Sequence, residues 1–187
     1  MCSIEKEVVT YFQYNKLIDK LVYKIENSEY KDNIKYVYGI DRGGLPISVH
    51  LSHYLNVKHI CSEKDLIDIL DSIYGNEIIL IVDDICDTGK TFTDLNLKYS
   101  EHTSNIIFSS LYYKPHSKFK PKFYIQETIN WIYFPWESIN ENPNREMYYH
   151  LINKERRLKN NYLERVIVLI EFLRKEIKQI FKILKGE

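Results

Sequence analysis

The sequence has few cysteines, and their positions exclude two classes of protein. Only 3 Cys occur among the 187 residues, at Cys2, Cys61 and Cys86. Their spacing does not match the close pairs of a zinc site, and so small a number does not build a disulfide scaffold. We therefore expect reduced thiols in a cytoplasmic protein whose stability comes from a buried core.

The sequence also lacks an excess of one charge and any long apolar run. It has 26 Lys and Arg against 26 Asp and Glu, which gives a formal net charge of +0. This balance does not favour nucleic acid as the main partner. No apolar stretch approaches the roughly 20 residues that cross a bilayer, and the first residues, MCSIEKE, become charged too early for a signal peptide. We expect no membrane partner.

The most informative stretch is IILIVDDICDTGKT, residues 78–91. Its first five residues, 78–82, are apolar, which predicts a strand buried on both faces of a parallel sheet. Three acids follow at Asp83, Asp84 and Asp87. Because open α/β sheets bind ligands at the carboxyl ends of their strands, we expect a binding site here.

The residues after the third acid suit a phosphate. Gly89 permits a tight turn, Thr88 and Thr91 offer hydroxyls, and the N-terminus of a following helix adds positive potential. The three acids would repel a phosphate unless they face ribose hydroxyls or a divalent cation. The loop therefore predicts a sugar phosphate with Mg²⁺. The alternatives are a solvated acidic turn, and a P-loop, which Asp84 excludes because that motif requires glycine there.

The pattern Asp83-Asp84-x-x-Asp87-Thr88-Gly89-x-Thr91 after an apolar strand resembles the phosphoribosyl pyrophosphate (PRPP) loop of the type I phosphoribosyltransferases. The resemblance implies an α/β fold: a parallel twisted sheet flanked by helices, with a small hood. It runs from about Val8 to Glu137, within an expected domain of residues 1–137, and residues 138–187 would form a helical C-terminal extension. The local patterns predict helices at 10–26, 45–54, 62–72 and 91–99 and strands at 35–40, 57–60, 78–82, 105–112, 123–126 and 131–134.

A second loop supports the resemblance. The strand at 35–40 ends in Asp41-Arg42-Gly43-Gly44, which again joins a glycine turn to a helix N-terminus, now with a guanidinium group. In the family the equivalent loop holds pyrophosphate and often contains a cis peptide bond. We therefore expect a cis peptide bond before Arg42.

Three further residues, at purine-type spacing, resemble the base site of the bacterial xanthine–guanine and archaeal hypoxanthine–guanine enzymes. The resemblance implies that Lys114 donates to the oxygen at purine C6 and that Trp131 stacks on the base. The backbone carbonyl of Ile132 would read the purine edge, and Glu137 would help Asp84 to hold Mg²⁺.

The resemblance implies transfer of ribose 5-phosphate from PRPP to a 6-oxopurine by a Mg²⁺-dependent enzyme of purine salvage, which is expected to be a dimer or tetramer. Asp87 would be the general base, and Arg42 would stabilise the departing pyrophosphate. The PRPP-binding residues would be Arg42, Gly43, Gly44, Asp83, Asp84, Asp87, Thr88, Gly89, Lys90 and Thr91.

Two features depart from this family pattern. The stretch 61–76 lacks the Ser-Tyr pair that the family often carries in a mobile hood, and it is short. From Leu163 to Leu184, apolar residues recur at three- and four-residue spacing, which predicts a helix that packs on its own domain or self-associates. These departures leave two alternatives open: a non-catalytic sensor of PRPP, or a transferase for another base.

Overall fold

The computed structural model describes residues 5–137 and the single positions 153, 157, 161 and 163. The chain divides into two compact units, with the boundary between Tyr133 and Phe134. The described residues of the first unit form strands β1 (Lys6–Val8), β2 (Ile34–Gly39), β3 (Lys58–Ile60), β4 (Ile78–Cys86), β5 (Ile106–Tyr113), β6 (Gln126–Glu127) and β7 (Trp131–Tyr133). Its helices are α1 (Tyr11–Glu26), α2 (Gly44–Tyr54), α3 (Glu63–Ser72) and α4 (Lys90–Lys98), with a 3₁₀ helix at Ser100–Asn105.

The main sheet has five strands in the order β3-β2-β4-β5-β6, and every neighbouring pair is parallel. The chain adds β3 on one side of β2 and then β4 on the other side. Such a reversal leaves a crevice outside the carboxyl ends of the two central strands, where ligands bind in open α/β sheets. The predicted fold class, a parallel sheet flanked by helices, is confirmed.

A second, two-stranded sheet pairs the start of the chain with β7. Strand β1 lies parallel to β7, with Glu7 opposite Ile132. The amide of Trp131 donates to the carbonyl of Glu5 at 2.8 Å, and the amide of Val9 donates to the carbonyl of Tyr133 at 2.8 Å. Strand β1 was not predicted, because three residues are too few for a periodic pattern and its partner lies far away in sequence.

The core forms as the apolar patterns predict. All five residues from Ile78 to Val82 are at most 5% exposed. The predicted capping box at Thr10 and Gln13 is present and begins α1, whose inward face buries Leu17 and Leu21. This face packs α1 against α2 and β5.

Two predicted strands differ from the structure. Strand β4 continues to Cys86, so Asp83 lies within the strand, opposite Ser110 of β5. The predicted strand at 123–126 was wrong, because regular pairing begins only at Gln126. N-terminal to Gln126, the amides of Lys122 and Phe123 both donate to the carbonyl of Phe108 in β5. In a regular ladder, two successive amides do not share one acceptor.

Residues 61–77 contain α3 and no strand. Among the described residues, no helix is both long and apolar enough to cross a membrane. The predicted C-terminal helix lies outside the described residues except for Leu163, which has helical backbone and is exposed. The division of the chain at residue 137 therefore stays a prediction.

Candidate active site

Three loops meet at the carboxyl edge of the main sheet. They follow β2 at residues 40–43, β4 at residues 87–89 and β5 at residues 114–119. These strands are neighbours in the order β2-β4-β5, so their carboxyl ends lie side by side. Six of the fourteen residues that we expected to carry function are in these loops: Arg42, Gly43, Asp87, Thr88, Gly89 and Lys114.

The loop after β4 forms a small pocket of about 70 Å³. Gly89 has a φ of 79° and begins α4 without a side chain to cap it, and the amide of Lys90 donates to Thr88 Oγ1 at 3.3 Å. Its first amides are therefore placed to receive an anion. The pocket is lined by Asp83, Ile85, Cys86, Asp87, Thr88, Gly89, Lys90, Thr91 and Phe92.

Glycine is required at position 89 for space as well as for its φ. A Cβ atom there would lie 2.5 Å from Ser117 Oγ and 2.6 Å from the backbone nitrogen of Phe119. The same segment is tied to the loop from the other side, because the amide of Lys118 donates to the carbonyl of Thr88 at 3.1 Å. The loop after β5 therefore packs directly against the loop after β4.

The carboxylate of Asp84 lies against the loop after β2. It sits directly over Gly43, where any Cβ atom would collide with it. The amide of Ile85 donates to Asp84 Oδ1 at 2.7 Å, which fixes the orientation of the carboxylate. The Asp84–Gly43 contact thus brings together two loops that are more than forty residues apart in sequence, as the predicted PRPP site requires.

The two adjacent acids impose an electrostatic demand. Burial raises the pKa of the Asp83 carboxyl group, and the neighbouring Asp84 carboxylate raises it further. The amide of Asp84 donates to Asp83 Oδ1 at 2.9 Å and partly offsets this effect. Hydroxyl donors or a cation beside the pair would favour its ionised form.

The loop after β2 has the predicted backbone. The Asp41–Arg42 peptide bond is cis, as expected, and the Arg42 side chain is exposed. The amide of Gly44 donates to the carbonyl of Ile40 at 2.8 Å and closes the turn. A Cβ atom at Gly44 would collide with the carbonyl oxygen of Val82, so this position also requires glycine.

Two of the three residues expected at the base site, Lys114 and Trp131, come together with Asp87. Lys114 Nζ lies 3.2 Å from Asp87 Oδ2 and 5.7 Å from the centre of the Trp131 ring. The Lys114 side chain is 8% exposed, whereas Trp131 is 52% exposed and Ile132 is buried. A buried ammonium group beside an accessible indole face is a suitable surface for a flat heterocycle that carries an oxygen.

A family comparison agrees with this geometry. Residues 60–141 match the model of the phosphoribosyl transferase domain. This segment is therefore similar to a phosphoribosyltransferase domain. The matched residues include the acidic loop after β4, Lys114 and Trp131, so the match and the converging side chains concern the same part of the molecule.

Solved structures of phosphoribosyltransferases are similar to this domain. The purine phosphoribosyltransferase from Pyrococcus horikoshii Ot3 is 28% identical, with a TM-score of 0.57 over 72% of this chain and 95% of that one. The xanthine-guanine-hypoxanthine phosphoribosyltransferase of Helicobacter pylori is 20% identical, with a TM-score of 0.57 over 74% and 97%. HGPRT-ase from Leishmania tarentolae, in complex with GMP, is 23% identical, with a TM-score of 0.51 over 64% and 79%. The last two show the fold alone.

One residue of the candidate site was not identified in the sequence analysis. His116 Nε2 lies 3.1 Å from Asp87 Oδ1, on the carboxylate oxygen that Lys114 does not contact. A lone histidine after Lys-Pro carries no motif, and only the fold brings it to the acidic loop. The signal that could have indicated His116 is its position two residues after Lys114, in a turn.

Two other expected residues lie differently from the rest. The Lys90 side chain forms an ion pair with Asp94, one turn along α4, so only its backbone amide belongs to the pocket. Glu137 belongs to the second unit, where its carboxylate accepts the amide of Phe134 at 2.8 Å. Its role as a metal ligand stays a prediction.

The donor set of the phosphoribosyltransferase domain is compatible with Mg²⁺ bound together with a substrate. Within the described ranges, no group of three or more His, Cys, Asp or Glu side chains could hold a metal ion alone. Mg²⁺ in such enzymes needs only one or two carboxylates, with water and substrate oxygens as its other ligands. A cation or hydroxyl donors beside Asp83 and Asp84 would lower the raised pKa of Asp83.

Proposed function

We propose that this protein transfers ribose 5-phosphate from PRPP to a 6-oxopurine, giving a nucleoside monophosphate and pyrophosphate. Guanine, hypoxanthine and xanthine share the oxygen at C6 that Lys114 would recognise, whereas adenine lacks it. The purine class of the Pyrococcus horikoshii enzyme supports this proposal. The choice among the three bases depends on groups around C2.

A single observation carries the proposal. The Lys114 ammonium group lies within 3.2 Å of the Asp87 carboxylate and beside the Trp131 ring. A 6-oxopurine has its C6 oxygen next to N7, so a paired cation and carboxylate fit the two atoms together. Lys114 would donate to the oxygen while Asp87 accepts the proton from N7.

The residues of the acidic loop would bind the other substrate. The amides around Gly89 and the hydroxyls of Thr88 and Thr91 would hold the 5′-phosphate. Asp83 and Asp84 would accept hydrogen bonds from the ribose hydroxyls. Both loops would thereby fix the anomeric carbon between the base and the departing pyrophosphate.

Displacement of pyrophosphate passes through an oxocarbenium-like state, in which negative charge grows on the leaving group. Arg42 and the amides of residues 42–44 would stabilise that charge. Asp84 would hold Mg²⁺, which would supply further positive charge to the pyrophosphate oxygens. The proton released at purine N7 would pass to Asp87.

A second function is favoured by one observation. Residues 61–77 contain only α3, so this region has no strand pair that could close over the site. A protein that binds PRPP without fast turnover would act as a sensor of that metabolite. A transferase for another base is a further alternative, which the Lys114–Trp131 arrangement disfavours.

Pyrophosphate release separates these functions. The protein is incubated with Mg²⁺, PRPP and, in turn, guanine, hypoxanthine, xanthine, adenine, uracil and orotate. We expect release with one or more 6-oxopurines and none with the pyrimidines. Binding of PRPP by calorimetry without release for any base would support the sensor, and release with a pyrimidine would overturn the purine assignment.

The Lys114→Met variant tests the base site within the same assay. We expect kcat/KM for the 6-oxopurine to fall by about 10–100-fold, because one hydrogen bond from a charged group is lost. The KM for PRPP should change little. Lys35→Met is the matched control, because Lys35 is an exposed lysine near the start of β2, at the opposite edge of the sheet.

A further inference from the structure

We infer that His116 is a positioning residue for Asp87: it donates a hydrogen bond that holds the carboxylate in place while Lys114 turns to the base. This inference deepens the proposed function and rests on it. It concerns a residue that no motif marks, and it starts from the contact of His116 Nε2 with Asp87 Oδ1 at 3.1 Å.

A rigid turn places His116 in this position. The amide of Ser117 donates to the carbonyl of Lys114 at 2.9 Å and closes a four-residue turn. Pro115 occupies its second position, where a fixed φ is favourable. The amide of Lys114 also donates to the carbonyl of Cys86 at 3.0 Å, so the first residue of the turn is hydrogen-bonded to the end of β4, the strand that carries Asp83 and Asp84.

The far end of the turn is anchored too. Ser117 Oγ donates to the carbonyl of Phe119 at 2.8 Å and lies 3.3 Å from Cys86 Sγ. Burial raises the pKa of the Cys86 thiol, so this contact remains that of a neutral thiol. Both ends of the turn are held against the end of β4. The short side chain of His116 is therefore sufficient to place its imidazole ring beside Asp87.

The proposed reaction makes a second partner for Asp87 necessary. In the structure the carboxylate has one oxygen on Lys114 and the other on His116. When Lys114 donates to the purine oxygen, its hold on Asp87 weakens. A carboxylate with one lost partner would rotate away from N7, whereas His116 keeps one oxygen fixed and leaves the other for the proton.

The alternative interpretation is that the contact between His116 and Asp87 is a surface contact without a role. His102 and Asp71 provide an example, with Nε2 and Oδ1 4.0 Å apart on the surface of the domain. The pair at His116 differs because its distance is shorter and because Asp87 also contacts buried Lys114. His102 therefore offers a matched control.

The test compares two substitutions with opposite expectations. His116→Leu removes the donor, and we expect kcat to fall about tenfold, with the KM for PRPP within about twofold of the wild type. His116→Gln keeps an N–H donor near the position of Nε2, and we expect it to recover most of the lost kcat. His102→Leu should leave both constants unchanged.

A second measurement does not require turnover. Side-chain histidine NMR of the free protein should show that Asp87→Asn shifts the ring signals of His116 and leaves those of His102 in place. Unshifted His116 signals would overturn the contact on which the inference rests.

The kinetic outcomes separate this inference from the proposed function. Absence of turnover by the wild type with every base overturns the proposed function, and the inference with it. Wild-type turnover that His116→Leu leaves intact overturns the inference alone. A rise in the KM for PRPP, or equal losses in His116→Leu and His116→Gln, would also overturn it, since a structural role of the turn predicts both.

Discussion

The proposed phosphate side and the proposed base side of the site differ in how the chain builds them. The phosphate side consists of residues 83–91, a continuous stretch that passes from β4 into α4. The base side is assembled from Lys114, His116 and Trp131, which lie on a strand end, a turn and a separate two-stranded sheet. Local chain geometry sets the first, whereas contacts between distant segments set the second.

Asp87 belongs to both sides, so its replacement should have the largest effect. In Asp87→Asn the amide accepts no proton, and we expect turnover to fall by about 10²–10⁴-fold, as for loss of a general base. The KM for PRPP should change little, because the nest of backbone amides remains. Steady-state pyrophosphate release checks this, and unchanged turnover would rule out the role of Asp87 as base.

An intermediate effect is expected from a substitution at Gly43, where the loop after β2 contacts Asp84 of the phosphate side. Gly43 has a φ of −65°, which alanine adopts without strain, but a Cβ atom there collides with the Asp84 carboxylate. We expect Gly43→Ala to raise the KM for PRPP by about 10–100-fold, because the carboxylate must move.

Gly75→Ala is the matched control for that substitution. Gly75 has a φ of 63° and open space around the Cβ position, so alanine should lower stability by about 1–2 kcal/mol without affecting KM. Thermal unfolding and kinetics measured together distinguish the two variants. An unchanged KM in Gly43→Ala would show that Asp84 does not contact PRPP.

The smallest effect is expected on the base side. Trp131 is 52% exposed, so Trp131→Ala should leave the fold intact while it removes a stacking face. We expect the KM for the base to rise about tenfold or less, and the KM for PRPP to stay constant. Tyr74→Ala removes an 83% exposed aromatic ring elsewhere and should change neither constant. A rise in the KM for PRPP would contradict the separation of the two sides.

The local backbone around the acidic loop was predicted well, because each of its signals is local. An apolar run predicted the start of β4 and glycine at 89 predicted the turn, and both are present; the cis bond before Arg42, which the resemblance implied, is present too. The extension of β4 through Asp83 was missed, because pairing with Ser110 of the next strand holds these polar residues in the sheet.

The base side was predicted only where a family pattern exists. Lys114 and Trp131 were named from their spacing, and the structure brings them to 5.7 Å from Nζ to ring centre. His116 and strand β1 were missed, because each takes its place through a partner that no sequence window contains. Contacts between segments that are distant in sequence depend on the whole fold. Residue propensity and hydrophobic periodicity describe only local structure.

The pairing of β1 with β7 has a consequence for the order in which the site matures. Lys6–Val8 leaves the ribosome long before Trp131–Tyr133, the segment it pairs with. Until that later segment emerges, a nascent chain contains residues 83–91 but lacks Trp131, the proposed stacking face for the base. The segment proposed to bind the sugar phosphate is therefore synthesised before the one proposed to select the base.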